Sequence, residues 1–470
     1  MKKLVLIFCI STSIVLQVKS GGLVTNSNQS ASYYRMLARG ASISGDAVYY
    51  NPAGLVFLDQ GFTVSLNSQM IWMQRTINND LSTLNNTKFV GNLYVPVFPG
   101  VYAAYKTGNW AFSLGFNPPA GGGSIEFKEG LPMLENTVSL IPGLLSSQAL
   151  TTTRYSMQAM MKGTSIAYGI QAGASYKINE TIGVSGGIRM LFANNSYEGY
   201  VRDIMINPVH PILKPNDDMV SASAFLSNPA LPPALGALAA ATVDQSLDVK
   251  QTGRGIAPIF GVHLKLENLN LAAKYEFRTK ITLVNETKKN ALNMYPDGQK
   301  LRSDVPALLS LAGSYDIIPA LKFSVTYIHH FEKQANLESW SPDATLQGGG
   351  IKVQRQDYIK GGTNEYLAGL EWKLNDKLTI SSGCQLTKFN VSDAWQNDIT
   401  HHLNNFTMGL GAAYHFGERL TLNIGGLYTW YNPVSVKGVA AIQGTPVAVP
   451  YNQNYDRTNK AIAIGIDYRF

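Results

Sequence analysis

Residues 460–470 read Lys-Ala-Ile-Ala-Ile-Gly-Ile-Asp-Tyr-Arg-Phe, and from Ile462 onward every second side chain is large and apolar. Successive side chains of a β-strand point to opposite faces, so one face of this segment is apolar and the other carries Ala, Gly, Asp and Arg. Two aromatic residues, Tyr468 and Phe470, stand together at one end of the apolar face. The segment therefore predicts a β-strand whose two faces meet different environments.

The same period-two alternation recurs from Gly61 to the last residue, in segments of about 9 to 15 residues, which is long enough to cross a bilayer as a tilted strand. Fourteen such segments can be counted, an even number, as in single-chain bacterial barrels. They lie near 61–72, 95–106, 109–118, 164–178, 182–197, 252–266, 270–284, 303–315, 321–332, 358–374, 377–390, 403–416, 419–431 and 458–470.

The chemistry of the two faces distinguishes a membrane barrel from a soluble sandwich. A sandwich buries its large apolar groups and turns polar groups outward. Here aromatic residues gather at the ends of the apolar face and the opposite face is polar or small, which is typical of a membrane barrel. Backbone groups in lipid must be paired within the protein, so the sheet has to close. We therefore predict an all-β fold, a 14-stranded antiparallel transmembrane β-barrel over residues 61–470, with long external loops at about 124–163 and 198–251.

The composition and the N-terminus favour the envelope of a Gram-negative bacterium. Charged residues make up only 15% of the chain, and the net charge of +7 is spread without a basic block, which argues against a nucleic-acid partner. Residues 1–20 combine Lys2 and Lys3 with a short apolar run and small residues, as a secretory signal peptide does. Beyond that segment Cys384 is the sole cysteine, so no intramolecular disulfide is expected. We expect the protein in the outer membrane.

Residues 21–60 precede the barrel and do not alternate. A barrel of fourteen strands is too wide for its own side chains to fill, so this segment is predicted to fold inside it as a plug, which we call the hatch. A disordered tail is the alternative, and the apolar residues of 48–50 and 55–58 argue against it.

Within the hatch, residues 47–55 read Ala-Val-Tyr-Tyr-Asn-Pro-Ala-Gly-Leu. This motif resembles the Asn-Pro-Ala signature in the N-terminal hatch of FadL-type long-chain fatty-acid and hydrocarbon transporters. The resemblance extends over the hatch, the strands and the terminal Phe470, a residue of the kind that outer-membrane assembly machinery reads. It implies that a hydrophobic ligand is caught by external loops, enters a pocket in the lumen and leaves sideways into the bilayer through a kinked third strand. The hatch-motif residues are Asn51, Pro52, Ala53 and Gly54.

The third predicted strand contains residues that a continuous strand in lipid should not have. Proline cannot donate to a ladder, and consecutive glycines permit unusual dihedrals. We predict a kink that opens the wall as a lateral gate. The alternative is that Pro118 already lies in a loop above the membrane. The predicted kink residues are Asn117, Pro118, Pro119, Gly121, Gly122 and Gly123.

Candidate ligand contacts come from two apolar loop segments and from cations predicted to face the lumen. The loop residues are apolar at near-helical spacing and would form a groove for an alkyl chain, or else pack together as a lid. An Arg or Lys in the lumen would suit a carboxylate, although lumen charges are commonly paired with one another. The candidates are Leu134 and Leu144 in the first loop, Leu235 in the second, and Arg189, Arg278 and Lys280 in the lumen.

The sequence thus predicts a passive channel for hydrophobic molecules, with the lipid bilayer as its surroundings, no cofactor, no metal and no enzymatic activity. A general diffusion porin is the alternative, and a barrel lipase is a weaker one. The lipase hypothesis would rest on Gly183-Val184-Ser185-Gly186-Gly187, but that pattern requires a strand-to-helix turn, and here it falls within an alternating strand. The substrate itself is not specified by the sequence.

Overall fold

The computed structural model describes Leu23 and residues 25–148, 150–233, 235–290, 294–342, 350–442 and 445–470. In this part of the chain fourteen antiparallel strands form a closed barrel. Closure is direct, because the first strand pairs with both the second and the last. The predicted fold class is therefore confirmed. The predicted signal peptide, residues 1–20, lies outside the described residues.

Each strand pairs with its neighbours along the chain, and three of the fourteen are split into two segments. In chain order the strands are β1 Gly61–Asn79, β2 Lys88–Thr107, β3 Trp110–Phe127, β4 Tyr155–Lys177, β5 Ile182–Ile206, β6 Gln245–Lys265, β7 Leu269–Glu276 with Thr282–Asn290, β8 Lys300–Arg302 with Leu308–Ile318, β9 Leu321–His330, β10 Thr363–Lys373, β11 Leu378–Lys388, β12 Asn405–Phe416, β13 Leu420–Tyr431 with Val434–Ala441, and β14 Ala448–Arg469.

Several strands extend well beyond the predicted segments toward the long loops. The links expected at about 124–163 and 198–251 therefore span 128–154 and 207–244. In these extensions the apolar side chains turn inward, as the buried Tyr155, Val201 and Leu247 show. The predicted pattern assumed apolar residues on the outside, so it ended where the polarity reversed.

The outer surface of the barrel is apolar over its middle and aromatic toward its ends. Large side chains that a soluble protein would bury are exposed on it, including Leu114, Leu410 and Ile464. Trp110 packs against Tyr176 with ring centroids 4.7 Å apart. This is the surface that a lipid environment requires. Among the described residues, no helix combines the length and hydrophobicity needed to cross a bilayer.

The helices are short and fall into two groups, one inside the barrel and one over the loop end. The inner group belongs to the hatch, and nearly all of its side chains are buried. The inner helices are α1 Ala31–Arg35, α2 Ala47–Tyr50 and a 3₁₀ turn at Pro52–Phe57; the outer ones are α3 Pro132–Ser139, α4 Ile141–Ser146, α5 Ala222–Leu226 and α6 Leu235–Ala241. Short strands at Val220–Ser221, Glu338–Pro342 and Gly350–Gln354 and 3₁₀ turns at Glu332–Gln334, Arg355–Tyr358 and Asp393–Trp395 complete the loops.

The hatch packs closely against one wall of the barrel because glycines in that wall leave room for the hatch backbone. The α1 helix begins at Ser30, whose Oγ accepts a hydrogen bond from Tyr33 N at 3.0 Å. It lies on β12 and β13, where a β-carbon at Gly409 would collide with Tyr34 O and one at Gly425 would lie 2.6 Å from Arg35 N. Glycine at these positions lets the two backbones touch.

Candidate functional site

The wall of the barrel is interrupted between β2 and β3. The two strands pair up to Val101 opposite Phe116 and again at Leu93 opposite Ile125, and the residues between, 94–100 and 117–124, are not paired across this interface. The third strand continues through the prolines to Phe127, so the alternative that Pro118 lies in a loop is wrong.

The predicted kink residues fill this interruption. Pro118 and Pro119 have no N–H to give to β2. Gly121 and Gly122 have φ angles of +66° and +138°, in the region that favours glycine. On its other edge β3 stays paired with β4, with bulges at Asn117/Ala120 and Gly121/Gly123. The wall is therefore open on the β2 side of the kink alone, and the ring of Phe98 packs against Gly122 there.

Backbone carbonyls of the kink are bound by the hatch. Asn26 donates from its backbone N to Pro119 O at 2.8 Å and from Nδ2 to Pro118 O at 3.3 Å and to Gly121 O. Gln29 donates from Nε2 to Pro118 O at 3.2 Å, and its Oε1 accepts from Asn117 Nδ2 at 2.7 Å. Hatch residues 25–29 thus occupy hydrogen-bonding positions that a neighbouring strand would otherwise fill.

The same hatch segment reaches the far wall. Thr25 Oγ1 lies 3.1 Å from His330 Nδ1, and Ser27 donates to Glu365 Oε2 at 2.9 Å. His330 Nε2 and Glu365 Oε1 are 2.9 Å apart across β9 and β10. His330 is buried and His329 is half-buried, so the adjacent pair faces two ways, as a strand dictates. Residues 25–29 therefore bridge the lumen from the kink to the opposite wall.

The hatch motif anchors the other end of the hatch. Asn51 Nδ2 donates to Ser42 O at 2.9 Å and lies 2.8 Å from His263 Nδ1, on β6. The carbonyl of Pro52 accepts a hydrogen bond from Ser175 Oγ at 2.8 Å. A β-carbon at Gly54 would lie 2.5 Å from Asn51 Nδ2, so the motif needs a small residue there. The motif thus docks the hatch onto the barrel wall of β4 to β6.

Arg189 faces the lumen as predicted, and it lies in a compensated charge cluster beneath the hatch. Its Nη1 lies 2.5 Å from Glu276 Oε2, and Lys274 Nζ lies 2.7 Å from Glu276 Oε1. Tyr49 of the hatch covers both cations, with its ring centroid 4.8 Å from Arg189 Cζ and 4.9 Å from Lys274 Nζ. With the hatch in this position, these cations are held by the protein itself.

The other two predicted cations lie at the break in β7, residues 277–281. Arg278 donates to Gln334 O, and its Nε is 3.7 Å from Asp304 Oδ2. Lys280 is exposed, whereas we expected it on the lumen face. The break shifts the alternation by one residue, so that odd-numbered residues such as Ile281 face inward beyond it.

A small apolar cavity of about 20 Å³ lies under α3, at the loop end of the barrel. It is formed by α3 and the extended ends of β4, β5 and β6. Leu134 is among its lining residues, and its role as a ligand contact stays a prediction. Leu144 and Leu235 are buried and do not line this cavity, so the groove or lid expected between the two loops stays a prediction. Its lining includes Leu131, Met133, Leu134, Met160, Met161, Val201, Leu247, Met294 and Ile399.

A second cavity of about 460 Å³, lined mostly by polar residues, lies at the mouth, and its lining shares Met133 with the apolar one. Asp398 lines this second cavity, and its Oδ2 accepts from Met133 N at 2.7 Å, at the start of α3. Its Oδ1 accepts from Tyr455 OH at 3.1 Å and from Gln453 Nε2. Burial raises the pKa of Asp398 to about 6 despite these hydrogen bonds.

Two parts of the site were not singled out from the sequence, namely residues 25–29 of the hatch and residues 393–400 of the loop that precedes the His401-His402 pair. Both are rich in amides and hydroxyls without a periodic pattern, so only their contacts reveal them. The lipase pattern at 183–187 lies inside β5, without the strand-to-helix turn that it requires. In the described ranges, no group of three or more potential metal ligands comes together.

Comparison with known proteins finds relatives through structure alone. No protein-family model matches the chain, and neither does any curated protein. A FadL homologue from Pseudomonas aeruginosa superposes with a TM-score of 0.65 at 14% identity, covering 97% of this chain and 99% of that one. The toluene transporter TodX of P. putida gives 0.58 at 15% identity, covering 91% and 94%, and the toluene transporter TbuX of Ralstonia pickettii gives 0.52 at 13%, also covering 91% and 94%. Identities this low establish the fold and not the substrate. Over nearly its whole length, the chain has the fold of the FadL-type transporters.

Proposed function

We propose that this protein is a Gram-negative outer-membrane channel for the passive uptake of hydrophobic molecules, long-chain fatty acids or similar lipophiles. The observation that carries the proposal is the interruption between β2 and β3, where the hatch binds the kink carbonyls. In lipid, unpaired backbone groups are expensive, so a sheet opened at this place needs a reason. Release of an apolar ligand directly into the bilayer supplies one.

The two cavities would mark the start of the ligand's path to the interruption. A molecule entering the polar mouth would pass Asp398 and Met133 and widen the small apolar cavity by displacing side chains under α3, where each methylene removed from water contributes about 0.8 kcal/mol. From there it would descend into the lumen and leave between Leu93 and Val101 of β2 and the kink of β3. Diffusion down a gradient suffices, so the proposal includes no cofactor and no catalytic step.

The hatch would act as the gate. With residues 25–29 in place, the kink carbonyls are bound and Phe98 packs against Gly122, so the lateral exit requires this segment to move. Arg189 contacts a ligand in this scheme only after Tyr49 of the hatch has moved away. Arg278, Lys280, Leu144 and Leu235 remain predictions as ligand contacts, whereas Leu134 lines the apolar cavity on the proposed path.

The division of the chain into signal peptide 1–20, hatch 21–60 and barrel 61–470 belongs to the same proposal. So does recognition of the C-terminal Phe470 by the assembly machinery. Phe470 packs beside Phe62 of β1 at a ring-centroid distance of 5.6 Å, and Tyr468 lies 4.7 Å away. An aromatic end in this place closes the barrel next to the short turns.

An uptake experiment separates this proposal from the porin alternative. Cells that produce the protein should accumulate labelled oleate or toluene faster than cells with an empty vector. In planar bilayers the purified protein should pass little ionic current, because hatch residues fill the lumen. Large steady conductance together with sugar permeation and no gain in uptake would establish a porin instead.

A further inference from the structure

The outer surface of the barrel carries a group of cations where β6, β7 and β8 meet, toward the loop end. Arg254 has the same parity on β6 as the exposed Ile256 and Phe260, so its side chain faces outward. Beyond the break in β7, Lys280 is exposed and Ile281 is buried. A lipid-facing cation is costly at the middle of the bilayer and tolerated near its surface, so the height of this group decides what it meets.

The strand register brings two more cations to the same place. Val284 of β7 is opposite Thr252 of β6 on one side and Lys300 of β8 on the other. Arg302 occupies the next outward position of β8, because Leu301 between the two cations is buried. Three neighbouring strands therefore contribute cations to one area of the outer surface.

Arg254 and Arg302 lie at equal height on either side of β7. Each is two residues from the level at which β6 and β8 face Val284, so about 10 Å, two strand spacings, separate the strands that carry them. A β-carbon at Gly255 would lie 2.5 Å from Lys280 O, so Lys280 stands next to Arg254. We call this group the basic patch, and its members are Arg254, Lys280, Lys300 and Arg302.

The protein neutralises little of the charge of the basic patch. Arg302 Nη2 lies 2.6 Å from Asp304 Oδ1, but Asp304 is shared with Arg278, whose Nε lies 3.7 Å from its Oδ2. Glu338 accepts from the backbone N of Arg302 at 2.9 Å and is balanced by Lys352, 3.5 Å from its Oε2. Over the ranges that the structure describes, the other three cations of the patch form no ion pair and no side-chain hydrogen bond. The patch therefore presents several unmatched positive charges.

The height of the basic patch matches the headgroup region of the outer leaflet. From Lys265 at the short-turn end, β6 rises about 26–30 Å to Arg254 at the usual strand tilt, and the apolar band of a barrel is about 25 Å tall. Arg254 is opposite Phe192, an exposed aromatic residue. Farther up, Lys250 and Glu286 are opposite each other, so their charges balance. The unmatched charge is thus concentrated where lipid phosphates lie.

We propose that the basic patch binds the two phosphate groups of a bis-phosphorylated glycolipid in the outer leaflet. A guanidinium pairs with a phosphate through two parallel N–H donors, and lysine adds a point charge. The spacing of about 10 Å lets Arg254 serve one phosphate and Arg302 the other. The acyl chains of the same lipid would lie on the apolar surface below, at Ile256 and Phe260. The inference uses the outer-membrane location in the proposed function and is independent of what the channel carries.

The test is a binding measurement on the full-length protein in detergent micelles, with a chelator present so that no divalent cation bridges a lipid to acidic side chains. The probes are bis-phosphorylated lipid A, lipid A without its phosphates, and phosphatidylglycerol, each followed by native mass spectrometry. We expect wild-type protein to bind the bis-phosphorylated form about tenfold or more tightly than the other two. Arg254→Gln and Lys300→Gln should each weaken this binding about fivefold, and the double variant about 25-fold.

Lys460→Gln is the matched control. Lys460 is an exposed cation on the outer face of β14 at a similar height, and its neighbours across the ladder are Trp72 and Tyr428. This variant should change the affinity for bis-phosphorylated lipid A by less than about twofold, because a single surface charge away from the patch contributes little. Heat-modifiable gel mobility verifies that each variant is a folded barrel.

Three results would overturn the inference. The first is equal binding of lipid A with and without its phosphates by the wild-type protein. The second is equal affinity for phosphatidylglycerol, which would reduce the effect to a general attraction of anionic lipid. The third is a loss in Lys460→Gln as large as that in Arg254→Gln. None of these results affects the transport proposal, which fails instead if cells that produce the protein take up oleate no faster than cells with an empty vector.

Discussion

The hatch meets the barrel in two contrasting ways, on the continuous wall of β12 and β13 and on the interrupted wall of β2 and β3. The β12–β13 ladder runs without a break from Asn405 opposite Tyr431 to Phe416 opposite Leu420. There α1 packs directly on glycine backbone, as at Gly409. At β2–β3 the ladder stops, and the hatch is attached through hydrogen bonds from Asn26 and Gln29.

The difference indicates which of the two contacts between hatch and barrel is able to separate. When the hatch backbone separates from the glycines of β12 and β13, no other group replaces the lost contacts. Side-chain amide bonds to carbonyls contribute only about 1 kcal/mol each, because a competing donor or a water molecule replaces them at little net cost. On the proposed function, the hatch would stay fixed on the continuous wall and release at the interruption, as a gate requires.

The largest effect should come from closing the interruption covalently. A β-carbon at Gly123 would lie 2.8 Å from Val95 Cγ2, so Val95→Cys with Gly123→Cys can form a disulfide across the gap in a Cys384→Ser background. We expect oxidation to reduce oleate uptake at least tenfold, because the two strands are then tethered, and a reducing agent to restore it.

The matched control places the same cross-link in the continuous wall. Thr379 and Ala413 are directly opposed on β11 and β12, and both are buried. Thr379→Cys with Ala413→Cys should leave uptake unchanged in both redox states. Equal inhibition by the two tethers would show that barrel stiffness, not the interruption, controls transport.

The second effect concerns pH and should be confined to the mouth. Burial raises the pKa of Asp398 from 3.8 to about 6, so docking of its loop on α3 is most stable below about pH 4 and weakens as the pH rises through 6. Two pKa units correspond to a change of up to about 100-fold in the docking equilibrium. Burial and the neighbouring Arg75 and Arg457 hold the pKa of His401 well below its usual range. Protonation of His401 therefore weakens docking of the loop on acidification, the opposite of the trend expected from Asp398.

A bimane label at Lys437→Cys, which lines the mouth, would report the movement in a Cys384→Ser background. Asp393 and Lys437 share this cavity with Asp398, so the variant Asp398→Asn is needed to isolate its titration. The bimane fluorescence of the wild-type protein should change between pH 4 and 6. This change should be absent in Asp398→Asn. An identical titration curve in the variant would assign the change to another group.

A third, smaller effect should follow from loosening the gate. The double variant Asn26→Ala with Gln29→Ala removes side-chain hydrogen bonds to Pro118 and Gly121, so we expect hydrogen-exchange protection of residues 120–124 to fall about tenfold. Protection on β12 should not change. Asn28→Ala is the control, because Asn28 bonds to Tyr34 and Gln69 instead. Unchanged exchange at the kink would mean that the hatch does not hold it.

The smallest effect should come from Asn51→Ala in the hatch motif. This variant loses the hydrogen bond to Ser42 O and the contact with His263 Nδ1. We expect exchange within α2 to rise about fivefold, the loss of one net hydrogen bond, while the kink keeps its protection. Ser44→Ala in the same hatch offers a comparison with an intact motif. Faster exchange throughout the hatch would instead show that Asn51 stabilises the whole segment.

The sequence predicted those parts of the molecule that carry a repeated pattern or a rare residue combination. Fourteen alternating segments predicted fourteen strands, and the run from Asn117 to Gly123 predicted an irregular third strand because prolines and glycines in lipid-exposed strands are unusual. Strand ends were missed where the apolar face turned inward, as at Val201. The alternation also could not show the one-residue shift that moves Lys280 to the outside.

The contacts of the site were beyond prediction for a different reason. Whether a lumen cation has an acid beside it depends on the pairing of distant strands, so Arg189 and Arg457 look alike in the sequence. The first proved to have Glu276 as its partner, and the second has loop carbonyls. Likewise no sequence pattern in residues 25–29 indicates that their amides bind a kink about ninety residues away.

The central claim is that a ligand leaves through the side of the barrel, and a map of photo-adducts tests it most directly. A fatty acid with a diazirine near its tail would be taken up by the wild-type protein in membranes, activated by light, and located by mass spectrometry. Adducts on residues 94–100 and 117–124, which border the interruption, are the predicted result. Adducts confined to residues 57–60, at the opposite end of the hatch from residues 25–29, with none beside the kink, would contradict it.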